Sequence, residues 1–173
     1  MSKNVVLTGM MGVGKSTIGK SLADKLEYTF IDVDKVIEKK EGCSINLIFK
    51  NKSENYFRKL ETSVSLKELK KNNSVISLGG GAFLDKSIRQ AVKVSSVSFW
   101  LDVEISQLVK RLGKTRKRPL LYKKNLNETV NKIYLERKKF YSEANYRLKC
   151  NFLKPEMIVR KILALYERTT DKI

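Results

Sequence analysis

Short apolar runs alternate along the chain with stretches of helical period. "NVVLT" (4–8) is a continuous apolar run and reads as a buried strand, and "KSTIGKSLADKL" (15–26) as a helix. "YTFID" (28–32) is a second strand, followed by two short helices, "VDKVIEKKEG" (33–42) and "SINLIFKN" (44–51). A longer helix covers 53–71, with Phe57, Leu60 and Val64 spaced for one face. "SVISL" (74–78) is the third strand and runs into three glycines. The pattern then predicts a helix over 85–93, a strand over 96–102 and helices over 104–113 and 125–144. A last strand, "YRLKC" (146–150), precedes a closing helix over 156–168. Strand and helix alternate throughout. That order predicts the α/β class, a mostly parallel sheet of about five strands with helices on both faces. No repeat or linker interrupts it, so the 173 residues read as one domain.

Composition narrows the chemistry. No apolar stretch approaches the roughly 20 residues of a membrane span, and the N-terminus has no signal-peptide pattern. Cys43 and Cys150 belong to no CxxC pair and read as reduced packing thiols. The expectation is a cytoplasmic protein with no membrane partner. The chain has no histidine, which removes histidine bases, histidine nucleophiles and imidazole metal sites. Against 18 acidic residues stand 36 basic ones, a net charge of +18. Such a field attracts anions. Lysines are scattered along the chain, however, as AT-rich coding DNA alone produces, so no nucleic-acid partner is expected. The excess concentrates in 106–150, which holds 14 Lys/Arg against 3 Asp/Glu.

"GMMGVGKST" (9–17) carries the sharpest chemistry. Gly9, Gly14, Lys15 and Ser16 satisfy G-x-x-x-x-G-K-[ST], the P-loop, and the motif falls between a predicted strand and a predicted helix. The backbone and side chains of Gly12, Val13, Gly14, Lys15, Ser16 and Thr17 are expected to hold a nucleoside triphosphate. Lys15 would reach the β- and γ-phosphates, and the Ser16 hydroxyl would bind Mg²⁺. A guanine-reading N-K-x-D is missing from its usual late position. The third strand ends in glycine instead of the usual Walker B aspartate. "FIDVD" (30–34) supplies carboxylates instead. Asp32 and Asp34 are expected at the carboxyl end of the second strand, beside the P-loop mouth, where either could also cap the next helix.

These residues resemble the shikimate kinase family of P-loop kinases. The resemblance rests on "GMMGVGKST", "FIDVD", "FRKLE" (57–61), "SLGGGA" (77–82), "RPLL" (118–121) and "ERKKFY" (136–141), in that order over nearly the whole chain. It implies phosphorylation of the 3-hydroxyl of shikimate by ATP, with Mg²⁺. It implies Arg58 and Arg137 as forks for the shikimate carboxylate, although each has a neighbouring glutamate and could be a solvated surface arginine. Gly79, Gly80 and Gly81 are implied as backbone close to the substrate, Asp34 as the residue that holds the reacting hydroxyl, and Asp32 as the residue near the metal. The helical segment about 33–61 would bind shikimate. Arg118 is implied as the arginine that closes over the phosphates from a mobile lid, "GKTRKRPLLYKKN" (113–125). Arg111 and Pro155 are implied beside the adenine. Lys15, Asp34 and Arg118 form the expected catalytic set, in a protein expected to be a monomer. The alternatives are a P-loop kinase for gluconate or a nucleoside monophosphate, and a basic nucleic-acid-binding NTPase.

Overall fold

A computed structural model describes residues 3–113 and 125–170. Five strands form one sheet: β1 (Asn4–Thr8), β2 (Thr29–Asp32), β3 (Ser74–Ser77), β4 (Ser96–Asp102) and β5 (Tyr146–Lys149). Their order is β2-β3-β1-β4-β5, and every neighbouring pair is parallel. β1 lies at the centre, with Val6 beside Ile76 on one side and Ser98 on the other. β1, β3 and β4 are buried along their whole length, which is why they read as unbroken runs. β2 and β5 are the edges. In β5, half-buried Tyr146 and Leu148 alternate with exposed Arg147 and Lys149, which keeps that edge solvated.

Among the described residues, eight α-helices cover the two faces: α1 (Lys15–Leu26), α2 (Val33–Glu41), α3 (Ile45–Asn51), α4 (Glu54–Leu69), α5 (Lys86–Ser95), α6 (Ile105–Leu112), α7 (Leu126–Tyr141) and α8 (Pro155–Thr170). α1 packs on α8 at one face, and α4 on α5 at the other. Gly19 lets α1 sit close to the sheet, since a Cβ there would run into the Phe30 ring and meet Leu7. Asn4 fastens the first strand. Its amide donates to the carbonyls of Leu69 and Lys71, and its Oδ1 accepts from the Ser74 amide.

The predicted elements are all present, with shifted ends. The third strand stops at Ser77, although the Leu78 amide still donates to Leu7 O. The helix expected over 125–144 ends at Tyr141, where turn bonds from Ser142, Glu143 and Ala144 take over. A 3₁₀ turn, Ala82–Leu84, follows the glycines and was not expected. Asp34 lies inside the first turn of α2, not at the strand end as expected; Asp32 ends β2 and caps that helix. Among the described residues no helix is long and apolar enough to cross a membrane.

Candidate active site

The P-loop leaves β1 at Thr8 and turns through backbone that favours glycine. Gly9 has φ 135°, and a Cβ on it would lie 2.5 Å from Leu101 O, so the loop can only hug the end of β4 without one. Gly14 caps α1 in the left-handed region and offers no side-chain acceptor. The first-turn amides of α1 are therefore left to an anion. Lys15 Nζ donates to Gly9 O at 2.8 Å and Met10 O at 3.0 Å, which puts its charge over the loop. Ser16 and Thr17 are exposed in the same first turn. Arg111 comes over from α6, with Nη1 3.5 Å from the carbonyl oxygens of Gly12 and Val13. Pro155 opens α8 and is exposed.

Asp32 serves two purposes. Its Oδ1 accepts from the Lys35 amide at 3.4 Å as the helix cap, and its Oδ2 accepts from the Ser16 hydroxyl at 2.6 Å. The second contact sets a hydroxyl and a carboxylate side by side at the P-loop mouth. Both are hard oxygen donors of the kind Mg²⁺ prefers. Among the described residues no group of three or more Cys, Asp or Glu forms a metal cage. Mg²⁺ needs none, because it takes one or two protein oxygens and completes its shell with water and phosphate. Ser16 and Asp32 fit that ion.

A cavity of about 980 Å³ begins at Ser16 and Asp32 and continues to Asp34, Arg58, Glu61, Gly80, Gly81 and Arg137. Met11, Ile45, Phe49 and Phe57 give it an apolar wall, and the two phenylalanine rings lie 4.9 Å apart. Arg58 is held by two glutamates of its own helix. Nη1 donates to Glu61 at 2.6 Å, and Nη2 to Glu54 at 3.1 Å. The Glu61 pair is not surface electrostatics, because the Glu61 side chain is only 3% exposed. Burial pushes the Glu61 carboxyl above its ordinary range, with Arg58 pulling the other way and Asp34 adding to the rise. Burial lowers the Arg58 pKa, but Glu61 and Glu54 more than offset that and leave it raised. Arg137 is 6% exposed and donates to Gly80 O at 2.8 Å, so the surface reading fails there too.

The glycines are where they are because these side chains leave no room. A Cβ at Gly79 would collide with Glu61 Oε1 and stand 2.8 Å from Asp34 Oδ1. One at Gly81 would collide with the Arg58 guanidinium. Asp34 and Glu61 thus converge over Gly79, and Arg58 over Gly81. Arg58, Arg137, Asp34 and Glu61 all line one cavity that opens onto the P-loop.

The sequence profile for shikimate kinase matches residues 11–167. The chain belongs to the shikimate kinase family. It is 40% identical over 166 residues to the shikimate kinase of Sulfurihydrogenibium sp. (strain YO3AOP1), covering 96% of this chain and 99% of that one. It superimposes with a TM-score of 0.94 on the shikimate kinase from Acinetobacter baumannii in complex with shikimate. That pair is 30% identical, over 98% of this chain and 95% of that one. A gluconokinase from Sinorhizobium meliloti 1021 aligns at a TM-score of 0.59 and 15% identity, over 98% and 94%, a likeness of fold alone.

Within that family frame, the structure brings together most of the residues the sequence singled out. Lys15, Ser16, Asp32, Asp34, Arg58, Gly79, Gly80, Gly81 and Arg137 gather at the P-loop mouth and the cavity behind it. Arg111 reaches the P-loop backbone. Arg118 and residues 114–124 of the expected lid lie outside the described residues. Cys150 is buried and its thiol is pushed up to about 11 by burial, as a packing residue should be. Cys43 departs from expectation: it is half-buried and lines the cavity.

Sequence reasoning missed Glu61 as a site residue and treated it only as a salt-bridge neighbour. The signal was present: Glu61 falls on the stripe of Phe57, Leu60 and Val64, where a charge is out of place. Arg137 occupies the same kind of position on α7, between Val130 and Tyr141 on the buried face. A charge on an apolar stripe marks a buried group that needs a partner.

Proposed function

We propose that the protein transfers the γ-phosphoryl group of ATP to the 3-hydroxyl of shikimate, giving shikimate 3-phosphate and ADP, a step toward chorismate and the aromatic amino acids. The observation that carries this reading is the single cavity that joins Ser16 and Asp32 at the P-loop to Arg58 and Arg137. An acceptor seated there has its carboxylate on two guanidinium groups and its ring against Phe49 and Phe57. A hydroxyl on the far side of that ring then faces Asp34 and the P-loop.

In this reading the hydroxyl oxygen attacks the γ-phosphorus, and the bond to the bridging oxygen of ADP breaks. The hydroxyl proton passes to the Asp34 carboxylate. Lys15 and the first-turn amides of α1 hold the phosphates in line, with the nucleotide backbone resting on the segment from Gly12 to Thr17. Mg²⁺ held at Ser16 and Asp32 would offset the phosphate charge. Arg111 and Pro155 would flank the adenine. Arg118 would add a cation over the transferring group, an assignment that rests on the family resemblance. The same reading has the enzyme as a cytoplasmic monomer with ATP and shikimate as substrates and no nucleic-acid partner. Two unpaired thiols are in keeping with a reducing compartment.

The test is product identification. Incubation with ATP, Mg²⁺ and shikimate should yield, by mass spectrometry and phosphorus NMR, a shikimate monophosphate esterified at the 3-position. ADP formed without a phosphorylated acid, or a phosphate on another hydroxyl, contradicts the proposal.

A further inference from the structure

Tyr141 ends α7 four residues after Arg137 and is fully buried. Its ring packs against Trp100 of β4, with centroids 5.8 Å apart. Its hydroxyl lies 2.5 Å from Gly80 O and 3.9 Å from Met10 Sδ in the P-loop. A phenol has one proton to give, and the shorter contact to the stronger acceptor takes it. Burial raises the pKa of this hydroxyl, which keeps it a donor.

Gly80 O also accepts from Arg137 Nη1 at 2.8 Å. A carbonyl has two lone pairs, so these two donors fill it. Together they fix the plane of the Gly80–Gly81 peptide. No peptide bond in the described chain is cis, so the Gly81 amide points to the opposite side of that plane from Gly80 O. Arg137 and the two glycines line the acceptor cavity, whereas Tyr141 does not reach it.

We infer that Tyr141 is a positioning residue: its hydroxyl, sharing Gly80 O with Arg137, holds both the Arg137 fork and the Gly80–Gly81 peptide in register for the acceptor carboxylate. It touches neither substrate. The hydroxyl acts on acceptor binding through those two groups, while the ring, packed against Trp100, carries the packing. This inference rests on the acceptor site proposed above.

Tyr141→Phe separates the two roles, since it keeps the ring and removes the hydroxyl. Losing one neutral hydrogen bond in such a network corresponds to roughly a 3- to 20-fold change. The KM for shikimate should rise by that factor, while kcat and the affinity for a non-hydrolysable ATP analogue measured alone stay within about twofold. The double variant Tyr141→Phe/Arg137→Ala should lose less shikimate affinity than the sum of the two single losses, because part of the hydroxyl's effect runs through the arginine. A KM unchanged in Tyr141→Phe, a parallel loss of ATP-analogue affinity, or additive losses in the double variant would each overturn the assignment. Failure of the acceptor reading itself looks different: wild type would then show no saturable response to shikimate at all.

Discussion

Gly79→Ala adds one methyl group at a crowded point of the proposed acceptor site. The backbone there is not in the left-handed region, so the substitution carries no φ strain and reduces the freedom of the unfolded chain, a gain of about 0.4–1 kcal/mol. What decides the outcome is space. The new Cβ collides with Glu61 Oε1 and stands 2.8 Å from Asp34 Oδ1. Glu61 has to give way by roughly 1 Å to regain van der Waals spacing. It is 2% exposed, so it cannot swing into solvent. Moving it drags Arg58, which it holds at 2.6 Å, and it pushes Asp34 off the hydroxyl position. Overpacking of this kind costs about 1–3 kcal/mol, so the net loss of stability is small and the protein stays folded. A displacement of about 1 Å in positioning groups is worth on the order of 10²-fold in rate. Steady-state assays should therefore give kcat/KM for shikimate lowered about 100-fold, with the affinity for an ATP analogue unchanged, because the P-loop is untouched. A kcat/KM within threefold of wild type would refute the argument that Glu61 and Asp34 are held in place over Gly79.

Other substitutions separate the roles at the site. Lys15→Ala should leave the melting temperature nearly unchanged and lower turnover by at least about 10²-fold, as loss of a preorganised charge on transferring phosphate does; activity retained within tenfold removes Lys15 from the phosphate grip. Arg58→Ala and Arg137→Ala should each weaken shikimate binding by about 2–5 kcal/mol in calorimetric titration while sparing ATP, and unchanged heats in both would remove them from the acceptor site. Asp34→Asn should still bind shikimate but lose about 10²–10⁴-fold in kcat, and a near-normal kcat would leave Asp34 as a first-turn helix residue only. For Glu61, burial raises the native pKa above the unfolded one, so its contribution to stability is full below the unfolded value and is lost as pH rises through the native value. Melts of wild type and Glu61→Gln between about pH 4 and 8 should diverge with that sign, and a flat difference contradicts the raised pKa.

The layout was legible because β1, β3 and β4 are buried on both faces and so appear as apolar runs. The P-loop was legible because its glycines and lysine are local in sequence and each answers to a local need. The acceptor site was harder. Its geometry depends on α2, α4, α7 and the glycines after β3 meeting across the fold, and no short-range pattern reports that. Arg58 and Glu61 looked like a routine helix pair, and only burial turns that pair into a positioned fork. Asp34 was placed at a strand end because helix starts are blurred in sequence, and Asp32, two residues earlier, is what caps the helix. Tyr141 gave no sign beyond its place in "ERKKFY", since the hydrogen bond that defines it reaches 61 residues back to Gly80.

On the proposed function, the cavity behind the P-loop selects shikimate as phosphoryl acceptor. The most direct measurement is ADP release with ATP and Mg²⁺ in the presence of shikimate, gluconate or AMP, each titrated to saturation at one enzyme concentration. Saturable ADP release is expected with shikimate and no more than the acceptor-free background with gluconate or AMP, since neither presents a ring carboxylate to Arg58 and Arg137 with a hydroxyl toward Asp34. Release with gluconate or AMP that equals or exceeds the shikimate rate would contradict it.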